Sequence, residues 1–244
     1  ILDKTDTAAV TERLMNILEI RNKREQAVVI TKAHAAEIKE YLAALDLIVD
    51  CPIETTEPGT EPVEHILFTQ PGMRYCQAQA LVYALMKDGL FHTLSEREKD
   101  LVTNRILDEV RGRMLEDIIL LETAKALGNR YKVFKLQFAS GEFDMVIYDR
   151  RENCCAAFEI KHSGQAVPEQ ARHLRDAEKC TLTQRRFGVL VGKYVLYQGK
   201  NIDAEDGILY RNAEEFLKML PEMELLERLS DLRNMNLSGN DAQE

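Results

Sequence analysis

Apolar residues recur at helical spacing near the start of the chain. Val10, Leu14, Ile17 and Leu18 mark a helix over residues 8–20. Ala36, Ile38, Leu42 and Leu45 supply most of the apolar face of a second, over about 32–45. Two short strand-like runs follow, Leu47-Ile48-Val49 and Ile66-Leu67-Phe68, on either side of a proline-, glycine- and charge-rich loop over 52–62. Pro71-Gly72 breaks the chain before another apolar helix over 75–87. Ser95 and Glu98 have the spacing of a capping box and open a long helix that runs to about Leu127, where Gly128-Asn129 ends it. Gly112 lies inside that helix. Either the helix bends there or something packs too closely for a side chain.

From residue 131 the pattern shortens. Strands are expected over 131–138, 143–148 and 155–161, and their short polar connections favour antiparallel hairpins. A helix over 168–180 precedes the apolar strand 187–191, and 194–197 and 208–210 add strand. Helices over 213–220 and 225–232 and a polar tail over 238–244 complete the reading, with no internal repeat. The first part, with its order helix, helix, strand, loop, strand, reads as a winged helix. Its candidate recognition helix sets Lys32 and Lys39 against Glu37 and Glu40, so it has no basic face for phosphates, and a structural or protein-contact role is expected.

The chain has 244 residues, enough for one large domain or two modest ones, and 45% of them are hydrophobic. No apolar run reaches membrane-span length, no signal peptide opens the chain, and five cysteines without a repeated spacing argue for a reducing, cytoplasmic setting. Cys154 and Cys155 are adjacent in a strand and face opposite ways, so both read as small buried residues. The chain begins at Ile1, and it is expected to be part of a longer polypeptide. Net charge is −9, a poor start for a nucleic-acid binder. The charge is uneven, however. Residues 128–200 hold 13 Lys and Arg against 8 Asp and Glu, a balance of +5, while the segments before and after are each at −7. Ordinary fluctuation of surface charge is the competing explanation.

The basic segment also holds the candidate chemistry. Asp144 falls in the second strand of the trio and Phe158-Glu159-Ile160-Lys161 in the third. In a strand Glu159 and Lys161 share one face, with Phe158 and Ile160 on the other. Asp144 is expected to share a face with Val146, opposite Phe143 and Met145. Two close carboxylates repel unless a proton or cation intervenes, and oxygen ligands of this kind suit Mg²⁺ or Mn²⁺. Lys161 would then orient a water or stabilise charge on phosphorus oxygens. Glu-x-Lys on an amphipathic strand is also what a solvated surface pair looks like. Glu116 is the preferred third acid, since it shares a helix face with Gly112, Ile119 and Leu120, whereas Glu122 reads as a surface residue. Arg172, Arg175 and Lys179 follow helical spacing and would line a nucleic-acid path, with a solvated helix face as the equal alternative. His162 is expected to point away from the site, Ser163 has no evident general base, and the five histidines show no metal-ligand spacing.

Helix, three strands, helix, strand, with Glu142-Phe143-Asp144 and Glu159-Ile160-Lys161 placed as they are, resembles the αβββαβ core of the PD-(D/E)XK nucleases. Gly112 to Glu116 is similar to the Gly-x-x-x-Glu segment of one family. That family is the nuclease-like C-terminal domain, of unassigned function, that follows a winged helix on many bacterial and archaeal AAA-type ATPases. The segment Ile66-Leu67-Phe68-Thr69-Gln70-Pro71-Gly72 is similar to its strand-then-Asp-Pro-Gly element, with Gln70 in place of the usual Asp. The resemblance covers nearly the whole chain. It implies an α/β, restriction-endonuclease-like core with a mixed sheet over 95–220, a winged-helix-like domain over 1–70, a connecting helix over 71–94, and a C-terminal helix and tail over 221–244. It implies Glu116, Asp144, Glu159 and Lys161 as catalytic residues, the three acids holding Mg²⁺ or Mn²⁺, and an ATPase domain upstream as partner, with oligomers possible through it. Gly188-Val189-Leu190-Val191-Gly192-Lys193 is one residue short of a P-loop, so no ATPase activity is expected of these residues themselves. Metal-dependent nucleic-acid cleavage is the first expectation; a non-catalytic regulatory or binding module is the second.

Overall fold

The computed structural model describes residues 31–57 and 63–220, and the expected helices over 8–20 and 225–232 and the polar tail lie outside them. The chain divides into two compact units. One takes in residues up to Ile48 together with Gln70–Met114, and the other Val49–Thr69 together with residues from Leu115 onward. No helix among the described residues is long and apolar enough to cross a membrane.

The described residues of the first unit are largely helical. Helix α1 (Lys32–Ala44) starts at Thr31, whose hydroxyl accepts the His34 N–H while His34 Nδ1 accepts the Thr31 N–H. Its Ile38, Tyr41 and Leu45 are exposed. Helix α2 (Gly72–Leu85) buries Ala78 and Val82, and the short α3 (Gly89–His92) buries Phe91. Helix α4 (Glu96–Leu127) opens on the expected capping box: the Ser95 N–H donates to Glu98 Oε2 at 2.9 Å. Within this unit Arg111 donates to the Tyr75 hydroxyl at 2.6 Å. A Cβ built on Gly112 meets no atom within 4 Å. Close packing is therefore not why glycine stands there, and α4 runs through it as one helix.

The second unit is α/β, built on a mixed eight-stranded sheet in the order β2-β1-β3-β4-β5-β6-β8-β7. The strands are β1 (Ile48–Thr55), β2 (Val63–Phe68), β3 (Tyr131–Gln137), β4 (Glu142–Asp149), β5 (Cys154–Ile160), β6 (Val189–Tyr197), β7 (Ile202–Asp203) and β8 (Ile208–Asn212). As expected, β3, β4 and β5 are joined by antiparallel hairpins. Strand β6 then pairs parallel with β5, as it must after a helical crossover. The strand expected over 187–191 and the one over 194–197 are a single strand. The two runs expected to close a winged helix over 1–70 lie instead in this sheet, where β1 pairs parallel with β3.

Apolar residues on both sheet faces explain why the central strands are almost continuously buried. One cluster joins Met145, Ile147, Phe158 and Ile160 to Ile119 and Leu120 of α4 and to Phe216 of α7 (Ala213–Met219). The other joins Phe134, Val146 and Ala157 to Leu174 and Phe187. Those last two belong to a crossover that is not the single expected helix. A 3₁₀ turn (Pro168–Ala171) leads to α5 (Arg172–Arg175), the chain breaks at Asp176, and α6 (Ala177–Phe187) follows, with the Asp176 carboxylate capping its first turn. All five cysteines are free, and Cys154 and Cys155 are buried as expected.

The crossover ends at Gly188, which has φ +72, and a Cβ there would lie 1.7 Å from the Asn153 carbonyl oxygen. An L side chain is both strained and obstructed at this position. Gly188→Ala is expected to lower the unfolding free energy by about 2–4 kcal/mol in urea titrations. A loss below about 1 kcal/mol would show that the β5–β6 junction can move aside.

Candidate active site

Backbone pairing between β4 and β5 runs from Asp149↔Cys154 to Met145↔Phe158 and stops there. Successive backbone N–H groups of a strand point to opposite neighbours. The Lys161 N–H goes to Leu196 O on the β6 side, so the Ile160 N–H points toward β4. Asp144 Oδ2 accepts it at 2.7 Å, a carboxylate standing in for the missing strand partner. A second irregularity aims Asp144. Between the pairs Phe134↔Val146 and Leu136↔Phe143, the single residue Lys135 stands opposite both Asp144 and Met145. Such a bulge breaks simple alternation. It places Phe143 in the same apolar cluster as Val146, where strict alternation had set them on opposite faces.

The sequence-predicted residues Asp144, Glu159 and Lys161 meet at this fork. Lys161 Nζ lies 2.7 Å from Asp144 Oδ2 and 2.7 Å from Glu159 Oε2. Asp144 and Glu159 are 7% and 2% exposed. They also stand within hydrogen-bonding reach of each other, which two carboxyl groups satisfy only by sharing a proton. Burial, reinforced by the charge of Asp144, pushes Glu159 up to about 8, against the opposing pull of Lys161. Burial alone would lower Lys161. Asp144 and then Glu159 outweigh it and hold the ammonium charged. Glu159 Oε1 is buried and has no hydrogen-bond partner.

The third expected acid is near but otherwise engaged. Glu116 Oε2 accepts from Lys135 Nζ at 3.0 Å. Burial and then the charge of Asp144 raise its pKa, and Lys135 eases the shift. Lys135 is itself 6% exposed and is raised by Glu116 against the effect of burial. Among the described residues no group of three or more His, Cys, Asp or Glu side chains is arranged to hold a metal ion. Two carboxylates converge here, not three. Glu122 lies on the surface beside Lys125, as expected.

A cavity of about 550 Å³ opens on the fork, lined by Asp144, Glu159 and Lys161 together with Gly141, Arg172 and His173. Of the three basic residues expected to line a nucleic-acid path, only Arg172 reaches it. Arg175 pairs with Asp206 at 2.6 Å, and Lys179 is buried against His173. For Lys179 the break at Asp176 is the reason, because helical spacing cannot carry across it. His162 is exposed and Ser163 bonds Gln165, so neither enters the cavity. His173, Lys135 and Gly141 were missed from sequence. Lys135 alone left a trace, as a charge between Phe134 and Leu136 in a buried strand.

A pH signature follows from Glu159. Its ordinary value is 4.5 and its folded value about 8, so between them the folded chain binds the extra proton. This contribution to stability is complete below 4.5 and is lost as pH rises through about 8. Glu159→Gln stays neutral, so its stability relative to the wild type should rise between about pH 5 and about pH 9, read by urea unfolding in EDTA. An unchanging difference would mean that the carboxyl is not held protonated.

No family model matches the chain, and no curated protein matches it, so the reading of this site rests on its geometry and on the sequence resemblance.

Proposed function

We propose that residues 95–220 form a PD-(D/E)XK nuclease-like domain that hydrolyses a nucleic-acid phosphodiester with a divalent metal. The observation that carries this reading is the ammonium of Lys161 set 2.7 Å from both Asp144 and Glu159 at the parting of β4 and β5. The order α4, β3, β4, β5, crossover helices, β6 supports it as well.

The donor set fits a divalent cation. Asp144 and Glu159 are oxygen ligands on one rim of a cavity, and the unpartnered Glu159 Oε1 is a buried acceptor in search of a positive charge. Mg²⁺ commonly takes one or two carboxylates and completes its shell with water and phosphate oxygens, so a third acid is not required. Bound there, the metal would supply Lewis-acid activation of the scissile phosphate and of water. Glu159 must give up its proton to serve as a ligand, and the charge of Lys161 favours that loss. Asp144 keeps its grip on the Ile160 N–H and so fixes the position of its carboxylate. Among the described residues Lys161 is the one cation paired with both acids, and it would orient the attacking water or offset charge on the phosphoryl oxygens.

The pairing of Glu116 with Lys135 favours a second reading. With the third acid neutralised, the fold would serve as a non-catalytic regulatory or binding module of an ATPase, as the resemblance also implies. Cleavage of labelled single- and double-stranded DNA and RNA with Mg²⁺ and Mn²⁺ separates the two. On the first reading Asp144→Asn and Lys161→Ala each reduce metal-dependent cleavage by about 100-fold or more while the fold persists. Unchanged cleavage by either variant overturns that reading. Absence of cleavage by the wild type favours the second.

A further inference from the structure

We propose that the cavity carries a phosphate-binding subsite beside the carboxylates, formed by Arg172 and His173, which line it, with Lys179 behind them on His173 Nδ1; it rests on the nuclease-like reading for the origin of the phosphate. Lys179 is the starting point. It is 8% exposed, yet among the described residues its ammonium has no carboxylate partner; it contacts His173 Nδ1 at 2.5 Å and faces the Phe138 ring at 5.4 Å. Buried lysines are ordinarily paired with an anion. Arg172, which is exposed, approaches the same imidazole from its other nitrogen. Its Nε donates to His173 Nε2 at 3.1 Å, and it makes no ion pair among the described residues.

The imidazole between them cannot satisfy both. A neutral histidine has one acceptor nitrogen, and here a cationic donor approaches each ring nitrogen. The cluster therefore holds more donors than acceptors, the reverse of the acid-rich fork. Anionic oxygens would balance it. A phosphate, with several acceptor oxygens, suits donors spread over three side chains. The Asp176 carboxylate caps the backbone N–H groups of Glu178 and Lys179 and forms no ion pair with the side chain of Lys179 or Arg172. Glu142 and Glu169 line the same cavity but pair with neither cation.

Gly141 keeps the space open. It has φ +82, and a Cβ there would lie 2.6 Å from His173 Cε1 and 3.1 Å from Lys179 Nζ. The β3–β4 turn thus passes against the basic cluster with no side chain over it. Arg172 and His173 share the cavity with Asp144, Glu159 and Lys161. A phosphate held by the basic side would belong to the same strand whose scissile group lies at the carboxylates.

The test measures binding without catalysis. In EDTA, the His173 ring resonances are followed by NMR as inorganic phosphate and then a single-stranded oligonucleotide are added, with His173→Gln used for assignment. Phosphate is expected to shift them saturably, and the oligonucleotide to compete. Arg172→Ala, at an exposed position, should weaken phosphate binding about tenfold, with a larger loss in Lys179→Met if it folds. Unmoved resonances, or undiminished affinity in Arg172→Ala, overturn the subsite. Phosphate binding without competition by the oligonucleotide overturns its assignment to a phosphodiester strand. Because Lys161→Ala should keep this binding while losing cleavage, failure of the nuclease reading and failure of the subsite give different results.

Discussion

At the fork between β4 and β5 a side chain does what backbone does elsewhere in the sheet. Asp144 takes the Ile160 N–H that β4 no longer accepts, and in doing so its carboxylate comes beside Glu159 and Lys161. Without that bond the strands would part over an unpaired buried donor, at a cost of about 1–3 kcal/mol. The bulge opposite Lys135 makes the geometry possible, because it turns Asp144 while Phe143 and Met145 on either side each stay buried in an apolar cluster. Structure and chemistry therefore share one residue. An Asp144 variant will report on both, which is why folding must be followed beside activity.

The charges around the fork form two opposed groups. On one side two acids share a single ammonium, and burial holds Glu159 protonated near neutrality. On the other, Arg172 and Lys179 press on one imidazole, whose pKa is lowered by burial and then by Lys179 and Arg172. Glu116 and Lys135 form a separate closed pair. A cavity that holds both the acid pair and the Arg172–His173 contact suits a ligand that brings both a cation and phosphate oxygens. The net charge of the whole chain conceals this, since the acidic residues lie mostly outside the segment that builds the site.

Much of the site could be read from residue order. Asp144, Glu159 and Lys161 stood out because polar residues interrupt strands that are otherwise apolar, and period-two alternation put Glu159 and Lys161 on one face. The capping box at Ser95 and Glu98 and the antiparallel hairpins are local features, and short-range chemistry specifies them. The face assigned to Phe143 differs because a bulge depends on the neighbouring strand. Lys179 left the expected path because the break at Asp176 is a cap for the next helix, which residue spacing does not distinguish from a helical interior; Arg175, in the same short helix as Arg172, is paired with Asp206 instead.

What the sequence determined by itself was the order of the long helix and the three hairpin strands β3 to β5, and the acid-acid-lysine set upon them, since both follow from local periodicity. Tertiary structure decided the partners. Only the folded sheet shows β1 and β2 extending it beside β3, because a short apolar strand carries no record of its neighbour. Only the fold joins Glu116 to Lys135, and brings Arg172 and Lys179 to the two nitrogens of His173. Those contacts depend on where a bulge, a broken helix and a glycine turn place side chains in three dimensions, and no linear spacing encodes that.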